Sequence, residues 1–312
     1  THGGLYVHDP NAKRFRTFRG DPNNPDRVSS RAFSAIRVEP DSTMWIGTFG
    51  EGLHRVDRSG KTTHLPAAVP GVVSDIIWAL HRSSSGILYV GTNHGLYTLN
   101  EARLTYRLVS LGPTAGDAYA VQYIAEGPDG WLWLGGVEAL FGYDPATGER
   151  RSVEAGPGGL SSATIGAVTV DRAGAVWIGS GRSALDRYEP GSKVVTRFDL
   201  TTAAGAPLGG EAVWDLFPDA DGALWVATGS GLGRLEPVSG IFTLFDRGSE
   251  PTGSVVYAIE QDDAGILWLA TNRGLAAFDP AHPEGGFRGY DLADGVGSTE
   301  FNRQAVFETK AG

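Results

Sequence analysis

The sequence predicts an all-β fold: a seven-bladed β-propeller whose four-stranded antiparallel blades repeat with a period of about 44 residues. Three observations predict it. One phrase, an apolar–aromatic–apolar triplet, a small residue and a second apolar run, occurs six times. It reads MWIGTFGEGLHRV (44–56), LYVGTNHGLYTL (88–99), LWLGGVEALFGY (132–143), VWIGSGRSALDRY (176–188), LWVATGSGLGRL (224–235) and LWLATNRGLAAF (267–278). Its aromatics, Trp45, Tyr89, Trp133, Trp177, Trp225 and Trp268, are spaced 44, 44, 44, 48 and 43 residues apart. The composition agrees: 45 glycines with 8 Trp, 10 Tyr and 13 Phe suit many short strands joined by tight turns. At that period the 312 residues make roughly seven units.

Each unit reads in the same order. An innermost apolar strand such as DIIWALHR (75–82) ends in a turn, SSSG (83–86). The corresponding turns elsewhere are PDST, GPDG, DRAG, DADG and DDAG, rich in Asp, Ser and Gly as hairpins require. A second strand (ILYVGT) leads to a third (GLYTLN), whose opening Gly is placed for a positive φ at the next turn, and TYRLVS (105–110) is the outer strand. The six marker aromatics are expected in the layers between blades, as core and not as a cofactor box.

The whole chain, 1–312, is read as one domain, with six whole blades over about 30–290. The seventh blade is assembled from residues 1–20 and 299–312, closing the ring between the termini. Its second strand is missing and is expected just beyond one end; the register does not say which.

A formal net charge of −10 argues against nucleic acid or an anionic membrane as partner, since both need clustered Lys and Arg. The absence of Cys excludes a disulfide framework and thiolate metal sites. No apolar run approaches the roughly 18–20 residues that cross a bilayer, and THGGLYVHDP lacks the features of a signal peptide. The seven histidines show neither HxxxH nor HxH spacing, so no metal site is expected. There is no G-x-S-x-G elbow, and the glycine-rich GTNHG and GTFGEG join strand to strand with no helix N-terminus to hold phosphate. No cofactor is expected.

Candidate binding residues follow from aligning the innermost strands on the markers. Nine places back stand Ile36, Leu80, Ile124, Val168, Leu216 and Ile259, uniformly aliphatic and therefore core. Eleven places back stand Ser34, Trp78, Gln122, Gly166, Trp214, Tyr257 and Gln304; fourteen back, Arg31, Asp75, Tyr119, Ala163, Glu211, Ser254 and Phe301. A structural position in a repeat keeps its chemistry, and these two do not. The loops between second and third strands add Phe49, Glu51, Asn93, His94, Glu138, Arg182, Asn272 and Arg273. From these the expected channel-mouth ligand site is Arg31, Asp75, Trp78, Asn93, His94, Tyr119, Gln122, Arg182, Glu211, Trp214, Tyr257, Arg273, Asn302, Arg303 and Gln304. Aromatics beside amides and charges suit a small polar molecule or an oligosaccharide.

The string of an Asp/Gly turn, then l-W-i-G-T, then G-L-x-r-x-d, resembles the two-component regulator propeller repeat. YDLADGVGSTEFNRQAVFETKAG (290–312) is similar to a segment of the last repeat in such sensors, matching at Asp294, Gly295, Glu300, Phe301, Asn302 and Ala305, with Val296 where Leu is usual. The resemblance implies a periplasmic, non-catalytic sensor region of a bacterial membrane receptor. It also implies continuation past Gly312 into a small β-sandwich, a membrane helix and an output domain of unspecified type. Membrane contact would then come only through those segments, and the intact receptor would be a homodimer. Two other readings stay open. A propeller lyase or hydrolase acting on a polysaccharide or small molecule would need a base such as His81 or His94 beside a carboxylate at the mouth. A protein-binding scaffold would need an exposed apolar patch.

Overall fold

The computed structural model describes residues 5–9, 14–18, 28, 32–65, 76–112, 119–180, 184–201, 208, 212–245, 255–290, 294 and 296. It begins with a hairpin, β1 (Leu5–Asp9) and β2 (Arg14–Phe18). Blade one follows as β3 (Phe33–Val38), β4 (Met44–Thr48), β5 (Leu53–Val56) and β6 (Thr62–Leu65). Blade two is β7 (Ile77–Arg82), β8 (Leu88–Thr92), β9 (Gly95–Asn100) and β10 (Thr105–Val109). Blade three is β11 (Tyr123–Glu126), β12 (Leu132–Gly135), β13 (Leu140–Tyr143) and β14 (Arg150–Val153). Blade four is β15 (Ile165–Val170), β16 (Val176–Ser180), β17 (Ala184–Glu189) and β18 (Val194–Asp199). Blade five is β19 (Val213–Pro218), β20 (Leu224–Thr228), β21 (Gly231–Glu236) and β22 (Ile241–Phe245). Blade six is β23 (Val256–Gln261), β24 (Leu267–Thr271), β25 (Gly274–Phe278) and β26 (Phe287–Tyr290).

These are six four-stranded sheets, each joined in chain order and antiparallel wherever the register is resolved, so the fold is an all-β propeller. The expectation of seven blades is corrected to six. In place of a seventh the structure has the two-stranded hairpin β1–β2, which lacks the inner strands a blade needs; residues 299–312, expected to supply one of them, lie outside the described residues. The chain divides into two compact units, Thr1–Leu80 with Arg247–Gly312 and His81–Asp246, the division falling inside β7. No α-helix occurs among the described residues, and no helix there is long and apolar enough to cross a membrane.

Side-chain chemistry at the turns explains the phrase. In blades four, five and six the Asp of the first turn accepts the indole N–H of the marker Trp: Asp171 from Trp177 (2.9 Å), Asp219 from Trp225 (2.8 Å) and Asp262 from Trp268 (2.8 Å). Asp171 and Asp262 also hold the backbone N–H groups of their own turns. At the other end of the blade a buried Thr closes the next turn. The Thr48, Thr92, Thr228 and Thr271 hydroxyls donate to the carbonyls of Gly52, Gly95, Gly231 and Gly274, at 2.7–3.1 Å. Those four glycines have φ of 72°, 129°, 137° and 118°, a region side chains other than Gly rarely adopt.

Between blades the core is built from marker aromatics and small residues. Trp177 lies in one cluster with Leu185 of its own blade and Val213, Leu224 and Val226 of the next. Trp133 packs with Ile165, Val176 and Ile178, and edge-on to Tyr188 at 5.4 Å. Tyr89 packs with Val121, Leu132 and Leu134. Of the six markers, five are at most 1 % exposed and Trp268 is half-buried. The small residue two places after the marker has a separate cause. A Cβ on Gly47 would stand 2.8 Å from Ile77 of the next innermost strand, on Gly135 2.7 Å from Val168, and on Gly179 2.4 Å from Val213. At these three positions the neighbouring blade approaches too closely for a larger residue; blades five and six carry the buried Ala227 and Ala270 at the equivalent place.

Substituting Gly179→Ala therefore forces Val213 and its strand outward. Chemical denaturation should show a loss of about 1–3 kcal/mol. Gly191→Ala, where a Cβ meets nothing within 4 Å, should stay within about 1 kcal/mol of the parent. Equal effects at the two positions would contradict the seating of blade on blade.

Candidate functional site

Each blade has two unlike ends. The lower end carries the turn between its first and second strands, and the upper end carries the start of the innermost strand and the loop between second and third strands. The register places them: Phe33 pairs Thr48, Ile165 pairs Ser180, Val213 pairs Thr228 and Val256 pairs Thr271. Just after each of these pairs one residue is skipped, a β-bulge at Ser34, Gly166, Trp214 and Tyr257. In blade three the N–H of Gln122 donates to Gly135, the partner that also faces Tyr123, so Gln122 occupies the same place. The position whose chemistry varies from blade to blade is thus the bulge residue, displaced from the regular ladder; in blade one it is the buried Ser34, whose hydroxyl donates to the Ile77 carbonyl of the next blade.

Eight of the expected site residues are described. In the first unit Trp78, Tyr257 and Arg273 stand at upper ends; in the second, Asn93, His94, Tyr119, Gln122 and Trp214 do. Arg31, Asp75, Arg182, Glu211, Asn302, Arg303 and Gln304 lie outside the described residues. Within the second unit, β11, β15 and β19 are successive neighbours, which puts Gln122, Gly166 and Trp214 on three adjoining strands. The Val121 N–H donates to the Thr92 carbonyl (2.9 Å), which ties the His94 loop to the entrance of β11. Tyr119 packs its ring on Phe141, with centroids 4.5 Å apart, against the apolar layer between blades two and three. Trp78 meets Phe49 edge-on at 5.2 Å.

The two ends differ in how far their polar groups are occupied. At lower ends, the carboxylates of Asp41, Asp171, Asp219 and Asp262 accept hydrogen bonds from their own turns or indoles. Glu126 of blade three accepts from both the N–H (2.9 Å) and the hydroxyl (2.6 Å) of Ser84 in blade two, and meets His81 Nε2 at 2.9 Å. Burial pushes the Glu126 carboxyl up, but the Ser84 and His81 hydrogen bonds outweigh it and hold it below the usual range. At upper ends, by contrast, the side chains of Glu51, His94, Gln122, Glu138 and Arg273 make no hydrogen bond or ion pair among the described residues. Glu51 and Glu138 were visible in the sequence as loop residues. The bulges and the Ser84–His81–Glu126 bridge were not, because each depends on register or on a neighbour some 40 residues away.

The histidines serve different purposes. His81 is beside a carboxylate, but at a lower end and with that carboxylate shared with Ser84. His94 is exposed at an upper end, its N–H donating to Thr92. His54 is fully buried and stacks on His64 across the strand pair, with centroids 4.6 Å apart. No group of three or more His, Asp or Glu able to hold a metal occurs among the described residues.

Two segments of the chain, 207–230 and 249–273, match the family model described as two component regulator propeller. No curated protein matches the chain. Among solved structures it is similar to the extracellular domain assigned to a hybrid two component system of B. thetaiotaomicron, BT3049, at 22% identity and a TM-score of 0.77, covering 93% of this chain and 38% of that one. A second such domain of the same organism, BT4673, gives 20% identity and a TM-score of 0.70, over 88% and 35%. Virginiamycin B lyase of Staphylococcus aureus gives 20% identity and a TM-score of 0.65, over 83% and 84%. At these identities the likeness is one of fold, and the chain spans little more than a third of the length of those two extracellular-domain chains.

Burial, and then the neighbouring His64, lower the His54 pKa from 6.5 to about 4. The unfolded chain therefore takes up a proton near pH 6.5 that the folded chain refuses until about pH 4, and stability falls as pH falls through that window. His54→Phe should flatten the pH dependence of stability between those limits in urea titrations. An unchanged slope would contradict a buried, neutral His54.

Proposed function

We propose that this chain is the sensor propeller of a bacterial membrane signalling receptor, lying outside the cytoplasmic membrane and binding a small polar ligand without transforming it. The matched repeat and the extracellular two-component domains support the sensor assignment. The observation that carries the binding reading is the contrast between the blade ends. Lower-end carboxylates are tied into the scaffold, while Gln122, His94, Glu51, Glu138 and Arg273 keep their hydrogen-bonding groups available at upper ends, beside half-buried aromatics. A ligand that binds two arrangements of the receptor with unequal affinity would shift their populations, and the output domain would report the shift.

The lyase reading draws on the likeness to virginiamycin B lyase. It needs a histidine and a carboxylate together at the mouth. Among the described residues the one close histidine–carboxylate pair on an innermost strand, His81 with Glu126, lies at the lower end and bridges two blades.

A thermal-shift screen against oligosaccharides, amino acids and nucleotides tests the proposal. A ligand at about 100 times its Kd should stabilise the fold by about 2.7 kcal/mol and be recovered unchanged. Gln122→Ala or Arg273→Ala should diminish that shift, whereas Glu126→Gln should lower the baseline and leave the shift in place. A ligand recovered cleaved, or a shift indifferent to both upper-end variants, would overturn it.

A further inference from the structure

We propose that the upper end of blade one is a recognition corner for an organic cation, an ammonium or guanidinium group, formed by Phe49, Glu51 and Trp78. The inference rests on the ligand-binding reading above and narrows it to a chemical class. Phe49 is 36% exposed, yet it is not a loose surface residue. Its N–H donates to the Ala32 carbonyl (3.1 Å), its backbone bridges to Ile76, and its ring stands at 89° to Trp78. An apolar ring is thus held in solvent by the backbone on both sides.

Glu51 is positioned just as firmly. Its N–H donates to the Thr48 hydroxyl (3.1 Å), and its carbonyl meets His64 Nε2 at 2.7 Å. Gly50 and Gly52 flank it with φ of 106° and 72°, so the loop has a conformation that other residues would resist. Its carboxylate nevertheless engages nothing among the described residues. His54, stacked beneath on His64, stays neutral at pH 7 because its pKa is lowered to about 4, and so adds no fixed positive charge.

Two aromatic rings and an unengaged carboxylate on a rigid loop select by charge. A cation is attracted by the ring faces and by Glu51 together. An anion meets the carboxylate, and a neutral apolar group would strip water from it with no compensation. Because the loop is already fixed, little ordering cost is added on binding. The net charge of −10 favours approach of cations from a distance. The same chemistry is offered by a free polyamine and by a lysine side chain of a peptide.

Isothermal titration of the full chain with choline, spermidine and the tripeptide Gly-Lys-Gly tests this, with maltose and glucuronate as neutral and anionic comparators. At least one cation should bind. Glu51→Gln and Phe49→Leu should each weaken it roughly tenfold, while Glu149→Gln, which removes a charge elsewhere, should not. The tighter of spermidine and the tripeptide identifies the source. Should Phe49→Leu fail to fold, Glu51→Gln decides alone. The proposal is overturned if no cation binds, if cation affinity is unchanged in Glu51→Gln, or if maltose or glucuronate binds and is lost in the same variants. Binding of a comparator that depends on Gln122 instead overturns this corner and leaves the ligand-binding reading standing.

Discussion

The structure depends on how closely one blade can sit on the next. A second strand presents a flat aromatic on one side of its small residue and a gap on the other, and the neighbouring innermost strand fills that gap. Gly135 against Ile165 and Val168, and Gly179 against Val213, are the clearest cases. Backbone bonds such as Ile165 N–H to the Gly136 carbonyl (2.9 Å) complete the seam. Dispersion falls off steeply with distance, so even a methyl-sized separation at these points would forfeit much of the contact along a whole strand. That is why the phrase tolerates Gly or Ala there and nothing larger.

With the blades seated in this way, the chemistry of each end follows from what the seam requires. The lower turns must be closed and must hold the marker indoles, so their carboxylates are engaged. The Asp–Trp hydrogen bond is found in blades four, five and six, whereas in blade one Trp45 Nε1 has no such partner among the described residues; between blades two and three Ser84, His81 and Glu126 form a direct bridge instead. The upper ends are closed by Thr hydroxyls and backbone groups instead. That leaves the side chains of Glu51, His94, Gln122, Glu138 and Arg273 unengaged among the described residues, which is the condition under which a repeat protein can vary such positions for recognition.

Much of this was legible in the residues. The period, the strand order and the interblade place of the aromatics follow from the six phrases, because alternation and turn chemistry act locally. The uniform aliphatic row from Ile36 to Ile259 marked one face of the innermost strands, and the mixed row from Ser34 to Tyr257 marked the place that proved to be a bulge. The bulge itself was hidden, since a skipped residue exists only relative to a partner strand. The Ser84–His81–Glu126 bridge was hidden for the same reason, as Glu126 lies 42 residues beyond Ser84. The seventh blade was inferred from the period and from strand-like patterns at the two termini, and neither says which segments actually pair. The free carboxylate of Glu51 was in view, but its significance depends on the fixed ring of Phe49 beside it.

The central claim is that recognition is confined to the upper ends of the blades, where loop side chains are unengaged, while the lower-end carboxylates are tied into the scaffold. Hydrogen exchange resolved along the chain, with and without a compound that raises the melting temperature, tests it most directly. The account predicts added protection in the loops between second and third strands and at the entrances to the innermost strands, around residues 48–52, 92–95 and 119–123. It predicts no local gain at the lower turns around 83–87, 171–175 and 219–223. Protection centred on those lower turns, or on the outer strands, would contradict it.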